Sequence, residues 1–314
     1  MGYYMTRTEL TQWIKDQAHN IGFGGCGISR AERLGEEAVR LERWLSLGRH
    51  GQMNYMADRG EMRTDPRLVM PEAESVISVL YNYFPAVKDE RPDEYKISKY
   101  AYGRDYHDVI REKLYQLADI IRQQVPELSA RVCIDSAPVL EKAWAARSGL
   151  GWVGKNTLLL TRKGSFFFMG EILVDQVLEY DEPIADLCGK CQQCIKACPT
   201  GAIVAPRELD ANRCISYLTI ELKDAAIPDD FIGKYRDWIF GCDICQDVCP
   251  YNRKSTPHME KQFEPRPGLL DLTKDDWHDL TEEKFAAMFK GSAVKRAKYA
   301  GLKRNIDFHK RQAK

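Results

Sequence analysis

The chain has 314 residues, 44% of them hydrophobic and 29% charged, and its 46 basic and 46 acidic side chains cancel to a formal net charge of zero. That length suffices for one large domain or two smaller ones with their own apolar core, so no metal is needed to make up for a missing core. Balanced charge excludes a global attraction to nucleic acid or to a membrane surface, and a polyanionic partner has to be held by local patches.

The opening Met1-Gly-Tyr-Tyr-Met-Thr-Arg-Thr-Glu9 lacks the apolar core of a signal peptide. No later run approaches the roughly 18 apolar residues of a membrane span. A cytoplasmic, monomeric protein without a membrane segment is therefore expected. In that reducing compartment ten cysteines read as thiols or metal ligands ahead of disulfides.

Leu10, Trp13, Ile14, Ala18 and Ile21 recur at helical spacing, and so do Val109, Ile110, Leu114, Leu117, Ala118, Ile121 and Val125, a run that stops at Pro126. Short β-rich runs lie at 75–81, 131–135, 157–160 and 165–178, separated by turn residues. These elements predict an α+β first domain over residues 1–180. Between 181 and 256 cysteines dominate and long apolar runs vanish, which predicts a loop-rich module built around inorganic cores. Residues 257–314 read as a helical tail. Thr273-Lys-Asp-Asp276 is a capping-box pattern, and the stretch from Gly291 to Lys314 holds eight Lys or Arg against the single acid Asp307.

Cys188-x2-Cys191-x2-Cys194-x3-Cys198-Pro199 has the spacing of a bacterial ferredoxin run, in which three thiolates hold one cubane and the fourth reaches the other cluster. A second run, Cys242-x2-Cys245-x3-Cys249-Pro250, ends the same way but lacks one cysteine, and Cys214 is the nearby candidate to supply it. Eight thiolates then balance two [4Fe-4S] clusters. With the crossing rule applied to both runs, Cys188, Cys191, Cys194 and Cys249 fall on one cluster and Cys198, Cys214, Cys242 and Cys245 on the other; other partitions remain open. Zinc, which takes two spaced pairs, fits four cysteines within eleven residues poorly. Cys26 and Cys133 read as small buried hydrophobes. Paired clusters move single electrons and perform no bond chemistry alone, so the reactive centre belongs to the first domain.

Five further motifs accompany the eight cysteines: Tyr100-Ala-Tyr-Gly-Arg-Asp-Tyr-His107, Asp135-Ser-Ala-Pro-Val-Leu-Glu-Lys142, Gly149-Leu-Gly-Trp-Val-Gly-Lys-Asn156, Ser216-Tyr-Leu-Thr-Ile-Glu221 and Gly241-Cys-Asp-Ile-Cys-Gln-Asp-Val-Cys-Pro250. Together they resemble the epoxyqueuosine reductase family from about residue 10 to residue 305. The resemblance implies a cobalamin-dependent oxidoreductase, related to reductive dehalogenases, that deoxygenates epoxyqueuosine to queuosine at the wobble position of tRNA. It implies cobalamin between the first domain and the ferredoxin-like module, and an external low-potential donor of flavodoxin or ferredoxin type.

By the same resemblance Asp135 is the proton donor, with a carboxyl whose pKa a crowded apolar pocket raises. Read locally, Asp135-Ser-Ala-Pro138 is instead a helix start with Asp135 as its cap. Arg63, Ser98, Tyr102, His107, Lys155, Asn156, Ser216 and Asp243 are implied around the cobalamin, His107 not as a cobalt ligand. The glycines before Lys155 form no dinucleotide fingerprint, because Trp152 and Val153 are bulky and no acidic partner follows at the required distance.

Glu221 is implied near the substrate. Lys295, Arg296, Lys298, Lys303, Arg304, Lys310 and Arg311 offer positive charge to tRNA phosphates, the wobble nucleoside being swung out into the pocket. Many members of the family continue into a C-terminal helical-repeat domain, whereas this sequence ends at Lys314, which puts the tRNA footprint in question. A reductive dehalogenase and a non-catalytic electron-transfer protein are the competing expectations.

Overall fold

The computed structural model describes residues 5–87, 91, 93–223 and 225–312. Helix α1 (Arg7–Ile21) starts at Thr6, whose hydroxyl accepts the Glu9 N–H while the Glu9 carboxylate accepts the Thr6 N–H, and it stops at Gly22 in the left-handed region, φ +103°. Then follow β1 (Gly25–Arg30), α2 (Gly35–Ser46), α3 (Gly60–Thr64), β2 (Ser75–Asn82), β3 (Lys96–Ile97) and α4 (Tyr106–Gln124). β4 (Ala130–Cys133), α5 (Glu141–Arg147), the hairpin β5 (Trp152–Val153) with β6 (Leu159–Leu160), and β7 (Phe167–Val174) complete the first part.

Four strands form one antiparallel sheet in the order β1-β2-β7-β4. Ile77, Val79 and Tyr81 of β2 pack on α1 and α4, while Val76 and Leu80 face the opposite side with Trp144 and Ala145 of α5. Covered on both faces, β2 reads as a continuous apolar run. The expected run 131–135 closes as a strand at Cys133, 157–160 contracts to Leu159–Leu160, and 165–178 to Phe167–Val174.

β1 and α2 carried no clear signal. β1 is Gly-Cys-Gly-Ile-Ser-Arg, poor in strand formers, and Gly27 is needed because a Cβ there would stand 2.2 Å from the Ser148 carbonyl oxygen. α2 buries only Leu41.

The cysteine-rich part holds α6 (Gln193–Ala197), the hairpin β8 (Ile203–Ala205) with β9 (Glu208–Leu209), α7 (Ile215–Ile220), β10 (Trp238–Phe240) and α8 (Ile244–Asp247). Beyond it lie α9 (Lys274–His278), with the expected Thr273–Asp276 capping box, α10 (Glu282–Met288) and α11 (Lys298–Gln312). β10 pairs in parallel with β3. Around that pair Tyr95, Ile97 and Tyr102 share a core with Ile239 and Phe240 and with Trp277, Phe289, Val294, Leu302 and Ile306.

The C-terminal helices are thus bound into the body. Arg304 of α11 donates to the carbonyl oxygens of Leu218 (2.9 Å) and Leu222 (2.7 Å), which α7 leaves open at its C-terminal end, and Asn305 donates to those of Thr219 and Ile239 (both 2.8 Å). Replacing Arg304 by Met strands those acceptors. Thermal or denaturant unfolding of Arg304→Met is expected to show a loss of about 2–4 kcal/mol. An unchanged midpoint would mean that water satisfies the same carbonyls.

Candidate active site

Cys188, Cys191 and Cys194, with Cys249 from 55 residues further on, line one cavity of about 380 Å³. The Trp152 indole N–H donates to Cys188 Sγ at 3.4 Å. Lys155 Nζ donates to the carbonyl oxygens of Gly189 (2.6 Å) and Cys191 (2.8 Å), so its charge braces this cysteine loop from the side. A second group gathers deeper. Cys214 lies within electrostatic reach of Cys198 and Cys242, and Cys245 within reach of Cys214 and Cys198. Burial pushes the Cys214, Cys242 and Cys245 thiols up, because a bare thiolate has no cation to offset its desolvation there. Four thiols around a cavity and a second, half-buried group suit iron–sulfur cores, whose positive irons stabilise the deprotonated ligands. Burial also pushes the Cys26 and Cys133 thiols up to about 12, in keeping with inert packing.

Asp105 caps α4. Its carboxylate accepts the His107 N–H at 3.0 Å and lies 2.7 Å from His107 Nδ1, while His107 Nε2 lies 2.6 Å from Asp135 Oδ2. Both ring nitrogens face carboxylates, and only an imidazolium donates from both. Burial disfavours that charge, but the hydrogen bonds that His107 donates to Asp105 and Asp135 outweigh it and push the His107 pKa up to about 9. The ring is held flat against Tyr106, 4.1 Å between centroids, and Tyr106 stacks on Phe168 of β7 at 4.3 Å.

Asp135 departs from expectation in two ways. It is not a helix cap, since α5 starts after Leu140 with no side-chain cap. Its carboxyl is also not raised: burial pushes it up, but the hydrogen bond and charge of His107 outweigh that and hold it below the ordinary carboxylate value. The proton of the pair therefore resides on His107. The half-exposed Asp135 has φ +39°, a left-handed conformation costing a non-glycine residue about 1–3 kcal/mol. Its N–H donates to Glu141 Oε1 at 2.6 Å. Burial and the Asp135 charge push the Glu141 pKa up to about 8. Behind Glu141, Glu171 of β7 is fully buried with neither carboxyl oxygen hydrogen-bonded, and burial raises it far enough to keep it protonated.

The remaining expected residues are scattered. Arg63 is buried, donates from Nη2 to the Tyr55 carbonyl at 2.8 Å, and has an Nε–H with no hydrogen-bond partner. Glu221 accepts a two-pronged contact from Arg296, 2.9 and 2.7 Å. The charges of Glu221, Arg296, Asp135 and Arg63 all act on the Tyr55 hydroxyl, whose pKa burial and Glu221 push up to about 12, so these five side chains are neighbours. Asp243 is buried and accepts from Lys99 N at 2.9 Å and Nζ at 3.4 Å; Asn156 lies between the cysteine loops, 3.5 Å from the Cys245 carbonyl. Ser98 is buried beside Gly241, and Ser216 is half-buried in the first turn of α7.

Four expected residues already have partners within the fold. Tyr102 is buried in the β3–β10 core. Lys155 braces the Cys188–Cys191 loop and lines the cavity there. Arg304 donates to backbone carbonyls inside the fold, and Lys303 Nζ donates one hydrogen bond to the His278 carbonyl at 2.6 Å. Lys295 and Lys298 are exposed, whereas the exposed Arg296 is already paired. Asp105, Glu141 and Tyr55 were not anticipated, although Asp105 stands two residues before His107 and Glu141 lies within the motif that starts at Asp135.

A double cluster module docked beside a carboxylate–imidazolium–carboxylate chain defines an iron–sulfur redox protein with a proton-handling cleft. A family model described as "Epoxyqueuosine reductase QueG, DUF1730" matches residues 63–136, and one described as a 4Fe-4S double cluster binding domain matches residues 187–252. Epoxyqueuosine reductase of Cellulophaga algicola is 55% identical over 306 residues, 97% of this chain and 99% of the relative. The structure of epoxyqueuosine reductase from Bacillus subtilis, with its catalytic aspartate loop swung out of the active site, aligns with a TM-score of 0.89 at 29% identity, covering 98% of this chain and 82% of that one. A structure of epoxyqueuosine reductase with a tRNA-Tyr epoxyqueuosine-modified stem loop aligns at 0.88 and 29% with the same coverage. The chain belongs to the epoxyqueuosine reductase family. Among the described residues no helix is long and apolar enough to cross a membrane.

The stabilisation of the His107 imidazolium is complete below its ordinary value of 6.5 and is lost as pH rises through about 9. Asp105→Asn keeps the helix cap but removes one of the two charges. Nitrogen-15 NMR of the labelled histidine is expected to show its pKa lowered by roughly one unit or more; a value still near 9 would mean that Asp135 alone sets it.

Proposed function

We propose that this protein reduces epoxyqueuosine to queuosine at the wobble position of tRNA, with cobalamin as the carbon reductant and two [4Fe-4S] clusters as its electron supply. The observation that carries the reading is the His107–Asp135 pair at the cleft, in a chain 55% identical to an epoxyqueuosine reductase. Opening the epoxide and releasing its oxygen as water consumes two electrons and two protons and leaves the carbon–carbon double bond. Bound cobalamin would supply a low-potential electron source at that carbon.

The chain supplies protons and position. Asp135 faces the departing oxygen, takes the His107 Nε2 proton and hands it on, and Asp105 keeps His107 oriented and charged until then. Because Asp135 is half-exposed, the second proton enters from solvent. The unpartnered Nε–H of Arg63 suits a corrin amide or phosphate acceptor, and Ser98, Asn156, Ser216 and Asp243 back the cofactor from the cluster side. Cys188, Cys191, Cys194 and Cys249 hold one cluster and Cys198, Cys214, Cys242 and Cys245 the other. Residues 1–180 form the cobalamin domain, 181–256 the electron module and 257–314 the part that meets tRNA, through Lys295 and Lys298, with Glu221 and Arg296 at the cleft mouth. A cytoplasmic monomer served by a flavodoxin or ferredoxin type donor completes the reading.

After anaerobic reconstitution, Asp135→Ala is expected to retain the cluster and cobalamin absorbances of the wild type while turnover falls by about 100-fold or more. Normal turnover would remove Asp135 from the reaction, and failure of the wild type to retain cobalamin would remove the cofactor. Cys249→Ser is expected to disturb the cluster of Cys188, Cys191 and Cys194; loss of the other cluster instead would reverse the crossing.

A further inference from the structure

We propose that Glu141 is a positioning residue for Asp135, its carboxyl latching the exposed loop that carries Asp135 by accepting the Asp135 N–H at 2.6 Å. This rests on the reading of Asp135 as the group that meets the departing oxygen. The two ends of the latch differ in rigidity. Glu141 opens α5, which is anchored one turn further on by the fully buried Trp144 and Ala145. Asp135 and Ser136 are exposed, and the loop's own bonds are few: Ala137 N–H to Ile134 O at 3.1 Å and Val139 N–H to Ala137 O at 2.8 Å.

A non-glycine residue at φ +39° persists only where its surroundings hold it there. It is held at both ends, by Glu141 on the amide and by His107, with Tyr106, on the carboxylate. When His107 gives up its proton the second contact loses its charge, and the amide contact then has to keep Asp135 aimed. The loop can leave: in the Bacillus subtilis relative the catalytic aspartate loop was found swung out of the active site.

The groups facing Glu141 are Asp135, His107, Lys142 and Glu171. Beside the Asp135 carboxylate a neutral Glu141 accepts through its carbonyl oxygen without repulsion, so a glutamine can replace it. This distinguishes a latch from an acid.

The test uses cluster- and cobalamin-loaded protein and reads both amide exchange and kinetics. In the wild type the Asp135 amide is expected to exchange at least about tenfold more slowly than that of Ser136. Glu141→Met should abolish that difference and lower kcat by about tenfold or more with KM for tRNA unchanged, while Glu141→Gln keeps both within about threefold. Equal exchange of the two amides in the wild type overturns the latch, as does a Glu141→Gln variant that loses as much kcat as Glu141→Met. Should the wild type fail to reduce epoxyqueuosine at all, the proposed reaction falls while the exchange measurement still decides the latch.

Discussion

The short parallel pairing of β3 with β10 is the joint on which the arrangement depends. It draws three distant stretches into one core: residues 95–102, the strand before Cys242, and the C-terminal helices around Trp277 and Leu302. Lys99 fastens the same joint electrostatically through Asp243 and Asp247. Together with Gln246, which donates to Tyr83 and Ser165, it fixes the second cysteine run relative to the sheet that carries Asp135. Low sequence separation cannot supply such a joint, and long-range burial of large aromatics does.

From that frame the chemistry falls into two parts. Thiols gather where burial makes their charge costly without a metal, and the proton-handling chain sits where three carboxylates, one imidazole and an open cleft meet. His107 is charged because it stands between two acids, and Asp135 is ionised because His107 is charged; neither state is a property of one residue. The expected raising of Asp135 by an apolar pocket considered desolvation alone, and a cation 2.6 Å away outweighs it.

Much of this was legible in sequence for specific reasons. Cysteine spacing is local and stereotyped, so the double cluster module could be read directly. The helices Arg7–Ile21 and Tyr106–Gln124 carry a clean apolar period, and the central strands are largely apolar, with Ser78 and Glu171 as the polar breaks. What stayed hidden is non-local. Nothing near Lys155 or Arg304 in sequence announces the backbone carbonyls that consume their donors. Tyr102 shares a motif with His107, yet one is buried in the joint and the other lines the cleft. Glu141 stands in plain view, but its partner is a backbone N–H whose direction depends on an unusual φ.

The most direct measurement is nucleoside analysis of tRNA bearing epoxyqueuosine after incubation with the reconstituted, reduced protein. The account predicts that epoxyqueuosine disappears and queuosine appears in equal amount, and only when both clusters and cobalamin are loaded. Unchanged epoxyqueuosine in the fully loaded, reduced enzyme would contradict it.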